Sequence, residues 1–156
     1  MKVRGRAWGA SVAAGVMAMA AMVFGGAGSA AADLPSSQVD MRCVGISPNI
    51  VDLPYSSQVI VSYLYDESGF PYITVHTGAS LWGYHTTATL RWTNLATDAS
   101  GTVTGDSPVS SFFGTGGTVY FREPTGPGPV RLDLTVVNSG LVPVPPVNCS
   151  GTIDIH

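Results

Sequence analysis

The sequence predicts an all-β protein, an antiparallel two-sheet sandwich of about seven to nine strands behind an N-terminal export signal. Three observations predict it. Apolar and polar residues alternate with period two in several short runs. Two runs are the most regular: Ala88, Leu90 and Trp92 against Thr87, Thr89, Arg91 and Thr93, and Val130, Leu132, Leu134 and Val136 against Arg131, Asp133 and Thr135. Glycine, proline, serine and threonine interrupt the chain at hairpin spacing, and no stretch beyond the N-terminal segment sustains a helical period. Two facing sheets bury one face of every such strand, and a small closed β-barrel is the alternative.

The N-terminal segment comes first. Met1–Arg6 carries three cations and no acid, residues 7–27 are almost wholly apolar or small, and Ala30 and Ala32 are small residues at alternate positions. A basic start, an apolar middle and such a pair make a secretory signal peptide over residues 1–32, cleaved near Ala32–Asp33. The alternative is a retained anchor, but alanine and glycine offer little apolar area per residue. A lipid anchor would need a cysteine just after the apolar run, and Cys43 lies well past it. Residues 33–156 then form one domain.

The strands follow in order. Gln38–Val44 alternates, with Val39, Met41 and Cys43 on one side. Ser47-Pro-Asn and Leu53-Pro54 break the chain. Gln58–Tyr65 is a strand with Val59, Val61, Tyr63 and Tyr65 on its inner face. Asp66-Glu-Ser-Gly69 is a turn, and Tyr72–Thr77 returns with Ile73 and Val75 inward. Gly78–Gly83 is a loop or bulge. Residues 85–105 form a hairpin turning at Thr97-Asp-Ala-Ser-Gly101. Val109–Phe113 and Gly117–Phe121 flank a glycine-rich connection, with Asp98 and Asp106 assigned to turns. A stiff Glu123–Pro129 loop leads into Val130–Val136. Val142-Pro-Val-Pro-Pro146 is extended but cannot join a central ladder. Cys149–Ile155 closes the domain, and His156 is expected to fray.

Loss of Lys2, Arg4 and Arg6 moves the formal net charge from −3 to about −6 and leaves four arginines and no lysine. Such a surface repels nucleic-acid backbones and anionic lipid, so neither is an expected partner. No membrane association is expected after cleavage, and the expected state is a monomer. Two cysteines in an exported chain are most simply one disulfide, Cys43–Cys149. A metal pair would want more ligands nearby, and a redox pair closer spacing. The bridge ties the first strand region to the last.

With the strands placed, the chain resembles the small secreted β-sandwich proteins of actinobacteria, some of them immunoglobulin-like. The residues that carry the resemblance are Ala30-Ala-Ala-Asp33, Val75-His-Thr-Gly78, Trp92-Thr-Asn-Leu95 with Thr97 and Ser100-Gly101, and Gly126–Val130. Trp92 is far from Cys43, and the residue two before Cys149 is Val147 where immunoglobulin domains place a tyrosine. The disulfide therefore does not match the inter-sheet bridge of immunoglobulin domains, and the likeness to them is one of architecture. Proteins of this kind are largely exported proteins or antigens, so the resemblance implies a fold and an extracellular or cell-wall location, with no reaction attached.

Catalysis by a histidine–serine pair is the enzyme alternative, a small hydrolase built on His76 or His85. No Gly-x-Ser-x-Gly elbow is present. His76 and His85 flank a loop, and Asp66 and Glu67 are the nearest acids that could help them hold a metal; two histidines without geometry do not make a site. Glu123 and Asp154 show no pairing of the glycosidase kind. Asn148-Cys-Ser150 matches a glycosylation sequon, with the disulfide cysteine at its centre. No catalytic residue, metal or cofactor is expected. Aromatic residues crowd positions 63–84, and Trp82 and Tyr84, with His76 and His85, are the candidate contacts to a protein or cell-envelope partner.

Overall fold

The computed structural model describes residues 36–63, 68–110 and 116–156. The expected export signal and its cleavage point, the turn and strand end at 64–67, and the strand end and glycine-rich connection at 111–115 lie outside the described residues. No helix among the described residues is long and apolar enough to cross a membrane.

Among the described residues nine strands form: β1 (Ser36–Gln38), β2 (Cys43–Gly45), β3 (Tyr55–Ser62), β4 (Tyr72–Thr77), β5 (Tyr84–Asn94), β6 (Ser100–Val109), β7 (Thr118–Arg122), β8 (Gly128–Ser139) and β9 (Val147–Ile155). One sheet runs β3-β4-β7, with β1 and β2 both on the free edge of β3; the other runs β6-β5-β8-β9. All pairs are antiparallel. The expected two-sheet sandwich is therefore the fold. Lettered A, B, C, C′, E, F and G, strands β3 to β9 form sheets A-B-E and C′-C-F-G, the strand order of the immunoglobulin-like sandwich.

Alternation decides which faces meet. Val59 and Val61 of β3, Ile73 and Val75 of β4, Leu90 and Trp92 of β5, and Val130, Leu132, Leu134 and Val136 of β8 are all buried between the sheets. The Cys43–Cys149 disulfide joins β2 of one sheet to β9 of the other, with Cα atoms 5.3 Å apart. It closes one side of the sandwich and is not the B–F bridge of antibody domains. Trp92 nonetheless sits on the C strand, where those domains carry their core tryptophan. Distance from Cys43 is the wrong ruler for it, because Cys43 precedes strand A.

Local departures from the sequence reading have local causes. Gln38–Val44 is two strands: the Val39 amide still bonds Val59 O of β3 (2.9 Å), but the chain then turns, the Met41 amide on Val39 O (2.9 Å), and packs on Gly151 of β9, whose absent Cβ would lie 2.8 Å from Val39 Cγ1. The hairpin reverses over Leu95–Ala99, with Asp98 at φ 59° and its amide on the Asn94 carbonyl (2.9 Å). Gly101 is thus a strand residue, opposite Trp92. Asp106 is also in β6 rather than a turn, and Tyr63 is half-buried with its hydroxyl donating to Asp154 O (3.1 Å). His156 is tied down: its carbonyl accepts the Gly69 amide (3.1 Å) and its ring packs on Tyr63.

Candidate functional site

Three connections meet at one end of the sandwich: residues 46–54 between β2 and β3, 78–83 between β4 and β5, and 140–146 between β8 and β9. The last two are the B–C and F–G loops of the lettering above. Proline and glycine stop each strand there, and one carboxylate ties the loops together. Asp52 Oδ2 accepts from Ser80 Oγ (2.6 Å), Ser47 Oγ (2.7 Å) and Asn49 Nδ2 (3.2 Å). Its Oδ1 accepts from the Leu81 amide (2.7 Å) and the Leu53 amide (2.8 Å). Asn49 extends the network: its Nδ2 also donates to Gly83 O (2.9 Å), and its Oδ1 accepts the Leu141 amide (3.4 Å). The Val142 amide completes the junction on Pro48 O (2.9 Å).

Burial by itself would push the Asp52 carboxyl up. The hydrogen bonds from Ser80, Leu81, Ser47 and Leu53 outweigh it and hold the group well below the usual carboxylate range. Asp52 is therefore charged throughout ordinary pH, and its charge faces donors of its own chain.

The hub holds apolar side chains outward. Trp82 is 64% exposed, and its indole Nε1 donates to Val51 O (3.1 Å). Val51 is 81% exposed and lies at φ 56°, a conformation a β-branched residue adopts only when its surroundings impose it. Ile46, Ile50, Leu53 and Leu141 are exposed around them. A cleft of about 310 Å³ opens beside the hub, lined by Gly45, Ile46, Ser47, Asn49, Val51, Asp52 and Pro54. Beneath the loops, Thr86 Oγ1 donates to Asn138 Oδ1 (2.8 Å), while Tyr55 Oη, Ser57 Oγ and Asn138 Nδ2 are buried without a partner.

The four candidate contact residues separate. Trp82 stands on the surface of this pole. Tyr84 is half-buried against the core, and burial, then the nearby Tyr55 and Asp52, pushes its phenol up. His76 lies on the outer face of β4, its Nδ1 3.4 Å from Thr118 Oγ1. His85 lies on the outer face of the other sheet, 3.1 Å from Asp106 Oδ2. The two histidines are thus on opposite sides of the sandwich. Among the described residues no three histidine, cysteine or acidic side chains are grouped to hold a metal. Glu123 accepts the Trp92 indole N–H (3.2 Å).

Sequence reading passed over Asp52, the residue that builds the pole. Its only local signal is a lone acid in the proline-bounded stretch Ser47–Pro54. No protein-family model, no curated protein and no solved structure matches the chain.

Proposed function

We propose that this chain is an exported, non-catalytic binding module that contacts a protein or cell-envelope component through the pole carrying Trp82. The observation behind this reading is Trp82 itself, held outward by a hydrogen-bonded hub. An aromatic ring fixed in place offers a partner large contact area at small entropic cost. Contiguous apolar surface on a free chain marks a contact site. Two of the pole's three connections, residues 78–83 and 140–146, correspond to loops with which antibody variable domains bind, an analogy at the level of the fold. The buried disulfide fits an oxidising compartment, and with the signal over residues 1–32 it supports a secreted or wall-associated protein with an antigenic surface. The hydrolase alternative needs a histidine within reach of a serine, whereas His76 neighbours Thr118 and His85 pairs with Asp106.

Acrylamide quenching tests the reading. The difference between the wild-type protein and Trp82→Phe isolates the Trp82 signal, since Trp92 is only 5% exposed. Trp82 should be freely quenched in dilute protein. It should become shielded when either a cell-envelope fraction or concentrated protein supplies the partner. A Trp82 that stays fully quenchable under every one of these conditions ends the proposal.

A further inference from the structure

Resting on that reading, we infer that the partner at this pole is a second copy of the chain, docked pole to pole about a twofold axis. Area is the first argument. Ile46, Ile50, Val51, Leu53, Trp82 and Leu141 are 46–81% exposed at this pole, and their summed exposed area, on the order of 700 Å² per copy, approaches the about 800 Å² each partner gives to a standard interface.

Charge is the second. Residues 46–54, 78–83 and 140–146 contain one ionisable side chain, Asp52, and its oxygens are taken by Ser47, Asn49, Ser80 and two backbone amides. The rest of the chain is acidic. Two acidic molecules approach without repulsion where neither brings a free charge. The same lack of a cation leaves phosphate headgroups and acidic peptides nothing to pair with here.

Shape is the third. A twofold contact requires one patch to carry both halves of the fit. This pole carries an exposed aromatic, Trp82, and the ladder-free strap Val142-Pro-Val-Pro-Pro146. Aromatic surfaces recognise extended proline segments because neither component loses much freedom on docking. Across the axis, Trp82 of each copy faces the strap of the other. The monomer expected from sequence is then the dilute form.

Sedimentation equilibrium over a wide concentration range tests this. The wild-type protein should pass from monomer to dimer. Leu141→Asp, at a position 75% exposed and so harmless to folding, should weaken self-association by about a hundredfold by placing like charges across the axis. Thr104→Asp, on the outer face of β6, should leave it unchanged. A wild-type protein that is monomeric at every concentration overturns the inference, as does a Leu141→Asp protein that dimerises normally. Shielding of Trp82 by neutral phosphatidylcholine vesicles, without self-association, overturns it in favour of a lipid surface. Shielding by an envelope fraction alone removes the second copy but keeps the contact face; no shielding at all removes both.

Discussion

Asp52 is the residue on which the Trp82 pole depends, because its five acceptor contacts join two loops and, through Asn49, a third. Replacing it by asparagine keeps the shape but turns one acceptor oxygen into a donor facing other donors. Asp52→Asn should cost about 1–3 kcal/mol in urea unfolding at neutral pH. The pH dependence has a definite sign. The folded-state pKa is depressed below the ordinary 3.8, so the contribution is fully present above that value and is lost as pH falls below it. The gap between wild type and Asp52→Asn should therefore be constant at neutral and mildly acidic pH and narrow as pH drops below about 4. A gap that widens in acid would mean the carboxyl is protonated in the fold. Trp82 was legible in the sequence because glycines flank it in a stretch without alternation. Asp52 was not, because its main partners, Ser80 and Leu81, lie 28 and 29 residues away.

The β5–β6 hairpin shows the same division one level up. Alternation made both faces of β5 readable, and the buried and exposed sets fall as period two requires. The role of Gly101 was not readable, since a glycine that turns the chain and one that makes room look alike in sequence. Gly101 lies opposite Trp92, and a Cβ there would stand 2.6 Å from the indole Nε1 and 2.7 Å from Cε2. The ring cannot retreat without giving up Glu123 and the core. Gly101→Ala should thus destabilise by about 1–3 kcal/mol, whereas Thr102→Ala, pointing to solvent one residue on, should fall within about 0.5 kcal/mol of wild type. Gly101→Asn separates the two roles. Asparagine tolerates turn conformations, so a turn glycine would accept it, but here it should destabilise at least as much as alanine. Chemical denaturation of the three variants gives the comparison.

For the molecule as a whole, the sandwich was legible and the strand order was not. Period two says that each strand has an inside, but nothing local says that β4 pairs with β7 or β5 with β8, contacts made across long stretches of chain. The cysteines supplied the one long-range restraint that sequence could offer. Their bridge spans 106 residues and closes the β2–β9 side of the sandwich. The opposite side carries no covalent bridge among the described residues: Gly105 of β6 lies under Val119 and Phe121 of β7, and the Thr118 amide donates to Ser107 Oγ (3.2 Å). The two sides should therefore respond differently when the bridge is removed. Cys43→Ala with Cys149→Ala should lose about 2–5 kcal/mol of stability. Hydrogen exchange should show the loss unevenly. Amides of β2 and β9 should open well below the global unfolding energy, while those of β5 and β8, central in their sheet and facing the buried core, should exchange only with global unfolding. If β6 and β7 lose protection first, the β2–β9 side is held by its packing rather than by the bridge, and the disulfide acts on the unfolded chain alone.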